Sequence, residues 1–79
     1  MSKKILITGG TGSFGNTVLK SLLEDDSYDE IRVFSRDELK QDNLRKLYKD
    51  DRLTFFVGDV RDRASLKRAM RSINEVFSA

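Results

Sequence analysis

Near its start, the chain places a glycine-rich turn between a short apolar segment and an amphipathic one. Ile5-Leu6-Ile7-Thr8 has the β-branched, uninterrupted apolar composition of a strand that is covered on both faces. Gly10-Thr11-Gly12-Ser13-Phe14-Gly15 follows at once and has the form G-x-G-x-x-G. The next apolar residues recur at the spacing of a helix: Val18, Leu19, Leu22 and Leu23. Strand, glycine turn and helix in this order predict the start of a parallel α/β sheet.

The alternation of strand and helix continues along the whole chain. Ile31–Phe34 and Leu53–Val57 have the composition of strands, and Glu75–Phe77 begins a fourth strand. The order β-α-β-α-β-α-β predicts an α/β fold, half of a doubly wound (Rossmann) parallel sheet with strand order 3-2-1-4. We expect residues 1–79 to form a single Rossmann subdomain. The first two helices should cover one face of its sheet and the third helix the other.

Local patterns predict where the second and third helices begin and which residues they bury. Ser35-Arg36-Asp37-Glu38 fits a capping box, in which the Ser35 hydroxyl accepts a hydrogen bond from the backbone N–H of Glu38. Asp62 is the predicted N-cap of the third helix. The predicted apolar faces are Leu44, Leu47 and Tyr48 on the second helix, and Leu66, Ala69, Met70 and Ile73 on the third.

Composition excludes several kinds of chemistry. The chain has no histidine and no cysteine, which removes the commonest general base and the usual ligands of zinc. We therefore predict no metal site and no Ser-His-Asp or Cys-His hydrolase within this chain. The 15 basic and 13 acidic side chains are mixed along the sequence, so no nucleic-acid partner is predicted. No apolar run has the length of a membrane span or a signal-peptide core, and a cytoplasmic protein with no membrane partner is expected.

A glycine motif in this position is typical of dinucleotide binding. One glycine allows a tight turn, one lets a pyrophosphate approach the backbone, and one permits close packing of the helix on the strand. The N–H groups at the start of the helix then face the phosphates, with support from the helix dipole. A plain flexible turn is the alternative. A Walker A loop is excluded, because no Gly-Lys-Ser/Thr follows.

The residues that end the second strand bear on the choice between NADP and NAD. Sites for NAD place an acid here to hold the ribose 2′-hydroxyl. In this chain Ser35 and Arg36 follow the strand, and a guanidinium can bind a 2′-phosphate through two hydrogen bonds. Lys40 adds a positive charge one helical turn further on. These residues favour NADP over NAD. Two alternatives stay open: Asp37 as the ribose-binding acid, and Ser35 and Arg36 as no more than a cap and a surface charge.

Asp59 and Val60 follow the third strand at the same predicted edge of the sheet. The Asp59 carboxylate could accept a hydrogen bond from the adenine amino group, and the backbone of Val60 could complete the contact. The alternative is an aspartate that supports the turn into the third helix. The residues alone do not choose between these two roles.

Three stretches of the chain resemble one enzyme family. Thr8–Gly15 also has the form T-G-x-x-G-x-x-G and is similar to the signature of extended short-chain dehydrogenase/reductases. Ser35–Gln41 and Gly58–Asp62 resemble the UDP-N-acetylglucosamine 4,6-dehydratases of bacterial polysaccharide biosynthesis. The resemblance covers essentially the whole chain, and Ser35–Gln41 is its most specific part.

The resemblance implies a set of cofactor-binding residues. The glycine turn would lie along the pyrophosphate, the residues after the second strand would hold the 2′-phosphate, and those after the third would contact adenine. Ala79 would lie where the family's fourth strand reaches the cofactor. Ser78 stands where the family usually has histidine, and no role follows for it. The residue patterns and the resemblance together give the candidate cofactor-binding set: Gly9, Thr11, Gly12, Ser13, Phe14, Gly15, Ser35, Arg36, Asp37, Lys40, Asp59, Val60 and Ala79.

The family's reaction transfers hydride from sugar C4 to bound NADP, eliminates water across C5 and C6, and returns the hydride to C6. Its base is a Tyr-x-x-x-Lys pair. Tyr28 and Tyr48 are each followed four residues on by arginine, so no catalytic residue is assigned in this chain. The resemblance implies an N-terminal, NADP-binding fragment of a nucleotide-sugar 4,6-dehydratase that is inactive alone. Its full-length parent would bind the UDP-sugar and form a homo-oligomer.

Other interpretations stay open. The chain could come from a nucleotide-sugar epimerase, or it could be a stand-alone adenine-nucleotide-binding module or a scaffold without catalysis. The fourth strand bears on this choice, because a stand-alone module should protect its open edge with charged or covering residues. Val76 and Phe77 give no such protection, which favours the fragment.

Overall fold

The computed structural model describes residues 3–9 and 12–78. Strands and helices alternate in the predicted order: β1 (Lys4–Thr8), α1 (Ser13–Leu23), β2 (Glu30–Ser35), α2 (Glu38–Tyr48), β3 (Leu53–Val57), α3 (Arg63–Ala69) and β4 (Glu75–Ser78). Asp62 caps α3 as predicted, because its side chain accepts hydrogen bonds from the backbone N–H groups of Ala64 and Ser65.

The strands form a parallel sheet in the order β3-β2-β1-β4, which confirms the predicted 3-2-1-4 half of a doubly wound fold. The register aligns the ends of the strands. Thr8 lies between Phe34 and Ser78, and Ser35 lies beside Val57. The segments that follow the strands are therefore brought to one edge of the sheet, called the carboxyl edge below.

Two apolar clusters cover the two faces of the sheet. Successive strand residues point to opposite faces. Ile7 therefore belongs to a cluster with Leu19 of α1 and Leu44 of α2, whereas Leu6 belongs to a cluster with Ala69 of α3. This arrangement confirms that the first two helices share one face and that the third helix covers the other.

The predicted apolar faces of α2 and α3 are only partly correct. Leu44 is buried, but Leu47 is 70% exposed, and the polar Gln41 is buried in its place. Gln41, Leu44 and Tyr48 share the inner side of α2, so Leu47 falls beside the contact and not within it. In α3 the helix ends at Ala69, and Met70 stays 42% exposed because the chain turns away there.

Two arginines, Arg32 in β2 and Arg52 directly before β3, bind carbonyl groups at the ends of helices. Arg32, on the α3 side of β2, is 9% exposed. Its Nη1 donates to the backbone oxygens of Ala69 at 2.9 Å and Arg71 at 2.6 Å. Arg52 donates through Nη2 to the backbone oxygen of Leu23, the last residue of α1, at 2.6 Å. Each guanidinium thereby satisfies a carbonyl at the end of a helix, Ala69 in α3 and Leu23 in α1, where the helix itself provides no partner.

Candidate functional site

An open cleft of about 1330 Å³ lies at the carboxyl edge, lined by the strand ends and the segments that follow them. Parallel strands bring their carboxyl ends and the N-terminus of α1 to the same place. The cleft therefore joins predicted residues from three separate segments of the chain: Gly9, Gly12, Ser35, Arg36, Asp37, Lys40, Asp59 and Val60.

The remaining predicted residues belong to the glycine turn, the first turn of α1 and the chain end. Thr11 and Ala79 lie outside the described residues. Ser13 and Phe14 begin α1, but their side chains also lie outside the described part. Gly15 is buried in the first turn of the helix.

Gly9 and Gly12 differ in whether the conformation of the turn requires glycine at that position. Gly9 has a φ of +73°, a left-handed conformation that residues with a Cβ rarely adopt. Its N–H donates to the backbone oxygen of Phe34 at 3.0 Å, which ties the turn to β2. Gly12 is the N-cap of α1 in an extended conformation. A Cβ on Gly12 would lie 3.7 Å from the oxygen of Gly9, an ordinary contact, so packing among the described residues does not require glycine there.

The predicted capping box is wrong. Asp37 is the N-cap of α2, and its Oδ1 accepts from the backbone N–H of Lys40 at 3.0 Å. Pairing with Val57 keeps Ser35 in the strand, which moves the start of the helix beyond the reach of its hydroxyl. The Ser35 Oγ accepts instead from Nε2 of Gln41 at 2.8 Å.

Arg36 and Lys40 bring positive charge to the mouth of the cleft. The side chains are 73% and 60% exposed, respectively. The Arg36 Nη1 lies 3.7 Å from Oδ2 of Asp59, and the Lys40 Nζ lies 3.9 Å from Oδ2 of Asp37. Exposed ion pairs at such distances are weak, so an anion in the cleft can compete for both cations.

Asp59 is held mainly by Arg61. The Arg61 Nη2 donates to Oδ2 at 2.7 Å, and its backbone N–H donates to Oδ1 at 2.9 Å. These hydrogen bonds, that of the side chain first, lower the pKa of Asp59 to about 2, and the charge of Arg36 adds to the effect. The turn-supporting role that the sequence left open is therefore present, and the ionised carboxylate lines the cleft as well.

The floor and one wall of the cleft are apolar. A Cβ on Gly58 would lie 2.9 Å from Cζ of Phe34 and 3.2 Å from Cβ of Ser65, so this position packs too tightly for a side chain. Met70 and Val76 expose apolar side chains to the cleft. Sequence reasoning missed Met70 because helical spacing assigned it to the core.

The two tyrosines lie on the opposite edge of the sheet. The Tyr28 hydroxyl donates to Oε2 of Glu75, at the start of β4, at 2.9 Å. Burial raises the pKa of Tyr28, and the Glu75 carboxylate raises it further. Tyr48 ends α2 and packs against the α1 and α2 cluster. Neither tyrosine lines the cleft among the described residues.

Residues 3–9 and 12–78 contain neither a membrane-spanning helix nor a cluster of metal-binding side chains. None of the helices in this part is both long and apolar enough to cross a membrane. The same residues contain no group of three or more acidic side chains placed to bind a metal ion.

A 3-2-1-4 parallel sheet with a glycine turn and a cleft at its carboxyl edge identifies the chain as a protein of the Rossmann-fold class. Residues 5–79 match the model of a family described as polysaccharide biosynthesis protein, and the chain belongs to that family.

Curated relatives of the chain act on nucleotide sugars by name. It is 48% identical over 82 aligned positions to the UDP-glucose 4-epimerase of Rickettsia akari, which covers 100% of this chain and 24% of that protein. It is also 48% identical over 77 positions to the inverting UDP-N-acetylglucosamine 4,6-dehydratase of Campylobacter jejuni, covering 98% of this chain and 23% of that protein. The chain thus spans about a quarter of the length of these relatives.

Solved structures show the same fold. Pen from Bacillus thuringiensis has a TM-score of 0.87 and 35% identity, and the match covers 95% of this chain and 23% of that one. A short-chain dehydrogenase/reductase from Veillonella parvula in complex with NADP has a TM-score of 0.80 over 99% of this chain and 35% of that one. At 24% identity this second likeness shows the fold alone.

Proposed function

We propose that this chain is the dinucleotide-binding part of an enzyme that modifies the sugar of a UDP-sugar in polysaccharide biosynthesis. One observation carries the proposal: the cleft at the carboxyl edge combines the glycine turn, a cationic end and an apolar wall in a member of this family. The curated relatives, a 4-epimerase and a 4,6-dehydratase, both change the sugar of a UDP-sugar by name.

The residues of the cleft fit a dinucleotide. Gly12 has no Cβ and caps α1, whose first N–H groups face outward at the carboxyl edge, so a pyrophosphate could approach the backbone there. Packing among the described residues gives no other reason for a glycine at this position, since a Cβ would meet only an ordinary contact there. Val60 and Met70 offer apolar surface for the adenine, and Asp59 offers an ionised acceptor for its amino group.

We further propose that the cofactor is NADP in preference to NAD. Ser35, Arg36 and Lys40 border the same end of the cleft and together offer a hydroxyl and two cations to a 2′-phosphate. Asp37 is a poor candidate for the ribose-binding acid, because its Oδ1 already accepts from the N–H of Lys40 as the cap of α2.

The bound cofactor would supply a hydride acceptor and donor for the sugar carbon. This chain would hold and orient the cofactor. The catalytic base is not Tyr28 or Tyr48, because both lie at the edge of the sheet opposite the carboxyl edge, away from the cleft. We expect the 4,6-dehydratase reaction because Ser35–Gln41 resembles that group. Epimerisation at C4 is the second candidate, favoured by the 48% identity to the Rickettsia akari enzyme.

Isothermal titration calorimetry of the purified chain with NADP+ and with NAD+ tests the proposal. We expect weak binding of both and tighter binding of NADP+. Equal affinities, or tighter binding of NAD+, would contradict the assignment of the 2′-phosphate site. Incubation with UDP-N-acetylglucosamine and NADP+ should give no 4-keto sugar, and turnover by this chain would contradict the absence of a catalytic base from it.

A further inference from the structure

Gln41 has a buried side-chain amide that connects the end of β2 to β3. Only 1% of the residue is exposed. Its Nε2 donates to Oγ of Ser35 at 2.8 Å and to the backbone oxygen of Phe56 at 2.9 Å, with a longer contact of 3.4 Å to the backbone oxygen of Ser35. The proposed function assigns no role to this residue.

The carbonyl of Phe56 fixes the orientation of the amide. A carbonyl oxygen only accepts hydrogen bonds, so the nitrogen end of Gln41 must face it. The same nitrogen reaches the Ser35 hydroxyl, which must therefore accept here. A hydroxyl has a single hydrogen. Because Ser35 accepts from Gln41 and lines the cleft, its own hydrogen is left to donate toward a ligand there.

We propose that Gln41 is a positioning residue that holds the Ser35 hydroxyl as a hydrogen-bond donor toward a phosphate monoester in the cleft. Phosphate oxygens of a dianion only accept, so a fixed donor matches them. A ribose 2′-hydroxyl can donate or accept and gains less from a fixed donor. Gln41 therefore favours NADP over NAD without touching either cofactor. This inference rests on the proposed placement of the 2′-phosphate beside Ser35 and Arg36.

A double-mutant cycle tests this coupling. The affinities for NADP+ and NAD+ are measured by calorimetry for the wild type, Ser35→Ala, Gln41→Met and the double variant. Methionine keeps the length of glutamine but has no donor. Each single variant should lower the ratio of NADP+ to NAD+ affinity by about tenfold or more, the effect of one hydrogen bond to a charged group. The double variant should lower it no further, because both changes remove the same bond.

The ratio of NADP+ to NAD+ affinity distinguishes a loss of the positioning role of Gln41 from structural damage. A partly unfolded sample weakens both cofactors alike and leaves the ratio unchanged. Asn43→Met, on the exposed side of the same helix, is the matched control and should keep the wild-type ratio. If Gln41→Met does not fold, Gln41→Leu offers a second uncharged side chain without a donor, and it should lower the ratio by the same factor as Ser35→Ala.

Two results would overturn the role of Gln41: a parallel loss of both cofactors in each Gln41 variant, or fully additive losses in the double variant. A wild-type chain without any NADP+ preference would instead overturn the proposed 2′-phosphate site. The two failures are distinguishable, because the first leaves the wild-type preference intact.

Discussion

The guanidinium of Arg36 lies 3.7 Å from the Asp59 carboxylate, so the segments after β2 and β3 are paired across the mouth of the cleft. Asp59 has a closer partner in Arg61, at 2.7 Å. Of the two arginines beside Asp59, Arg36 is therefore the more weakly held. Turning it toward an anion costs little, because an exposed pair of this kind contributes about 1 kcal/mol at most.

Arg36→Ala should lower the affinity for NADP+ about tenfold and leave that for NAD+ nearly unchanged, because the guanidinium is assigned to the 2′-phosphate alone. Calorimetry with both cofactors measures the effect. Lys46→Ala is the matched control, since Lys46 is an exposed cation in the last turn of α2, away from the cleft. A parallel loss of both cofactors in Arg36→Ala would mean that the residue serves only the fold.

Gly9→Ala and Gly12→Ala should separate the folding role of the turn from its binding role. Alanine at Gly9 must adopt a φ of +73°, so we expect a loss of about 1 kcal/mol in the free energy of unfolding. Alanine at Gly12 fits the free protein and should change stability by less than about 0.5 kcal/mol. Its methyl group would stand in the path of the pyrophosphate and should weaken NADP+ and NAD+ alike, by about tenfold or more.

Urea denaturation gives the two stabilities, and calorimetry gives the two affinities. Undiminished cofactor binding by Gly12→Ala would contradict the placement of the pyrophosphate at the N-terminus of α1. Unchanged stability of Gly9→Ala would show that the left-handed conformation is not required.

Acid should destabilise the protein in the range where Asp59 titrates. Its pKa is about 2 in the folded protein, mainly because of the Arg61 hydrogen bonds, and 3.8 is its ordinary value. A carboxylate with a lowered pKa contributes stability above the unfolded value, and this contribution is lost as pH falls from 3.8 toward about 2. Asp59→Asn should therefore show a shallower fall in the free energy of unfolding across this window.

Urea titrations followed by circular dichroism above, within and below the window test the pH dependence. Asp51→Asn removes an exposed carboxylate away from Arg61 and serves as the control. Wild type and Asp59→Asn with the same slope through the window would contradict the contribution of the Arg61 contact.

Arg32→Met should be the most destabilising of these substitutions. It removes the donor to the Ala69 and Arg71 carbonyls and leaves Glu30 without its 3.0 Å partner in a part-buried place. We expect a loss of about 3 kcal/mol in the free energy of unfolding, measured by urea denaturation. Arg68→Met, an exposed arginine on α3 with one 3.3 Å bond to Ser65, should lose less than about 0.5 kcal/mol. Equal losses for both would contradict the role of Arg32 in holding the end of α3.

Much of the fold and of the candidate site could be predicted from local pattern. Strand composition, helical spacing and the glycine turn are properties of adjacent residues, and parallel topology then forces the strand ends together. Arg36 and Asp59 are far apart in sequence, yet both follow strands of one sheet, so their meeting at one edge was predictable. The start of α2 was not, because pairing with Val57 kept Ser35 in the strand.

The sequence by itself determined the order of elements, the faces of the sheet and the edge at which the cleft forms. Only the tertiary structure decided that Arg32 and Gln41 are buried, and which backbone carbonyls they bind. The physical reason is the distance between the partners along the chain. Gln41 depends on the carbonyl of Phe56, and Arg32 on carbonyls beyond α3, and no local spacing encodes such pairs.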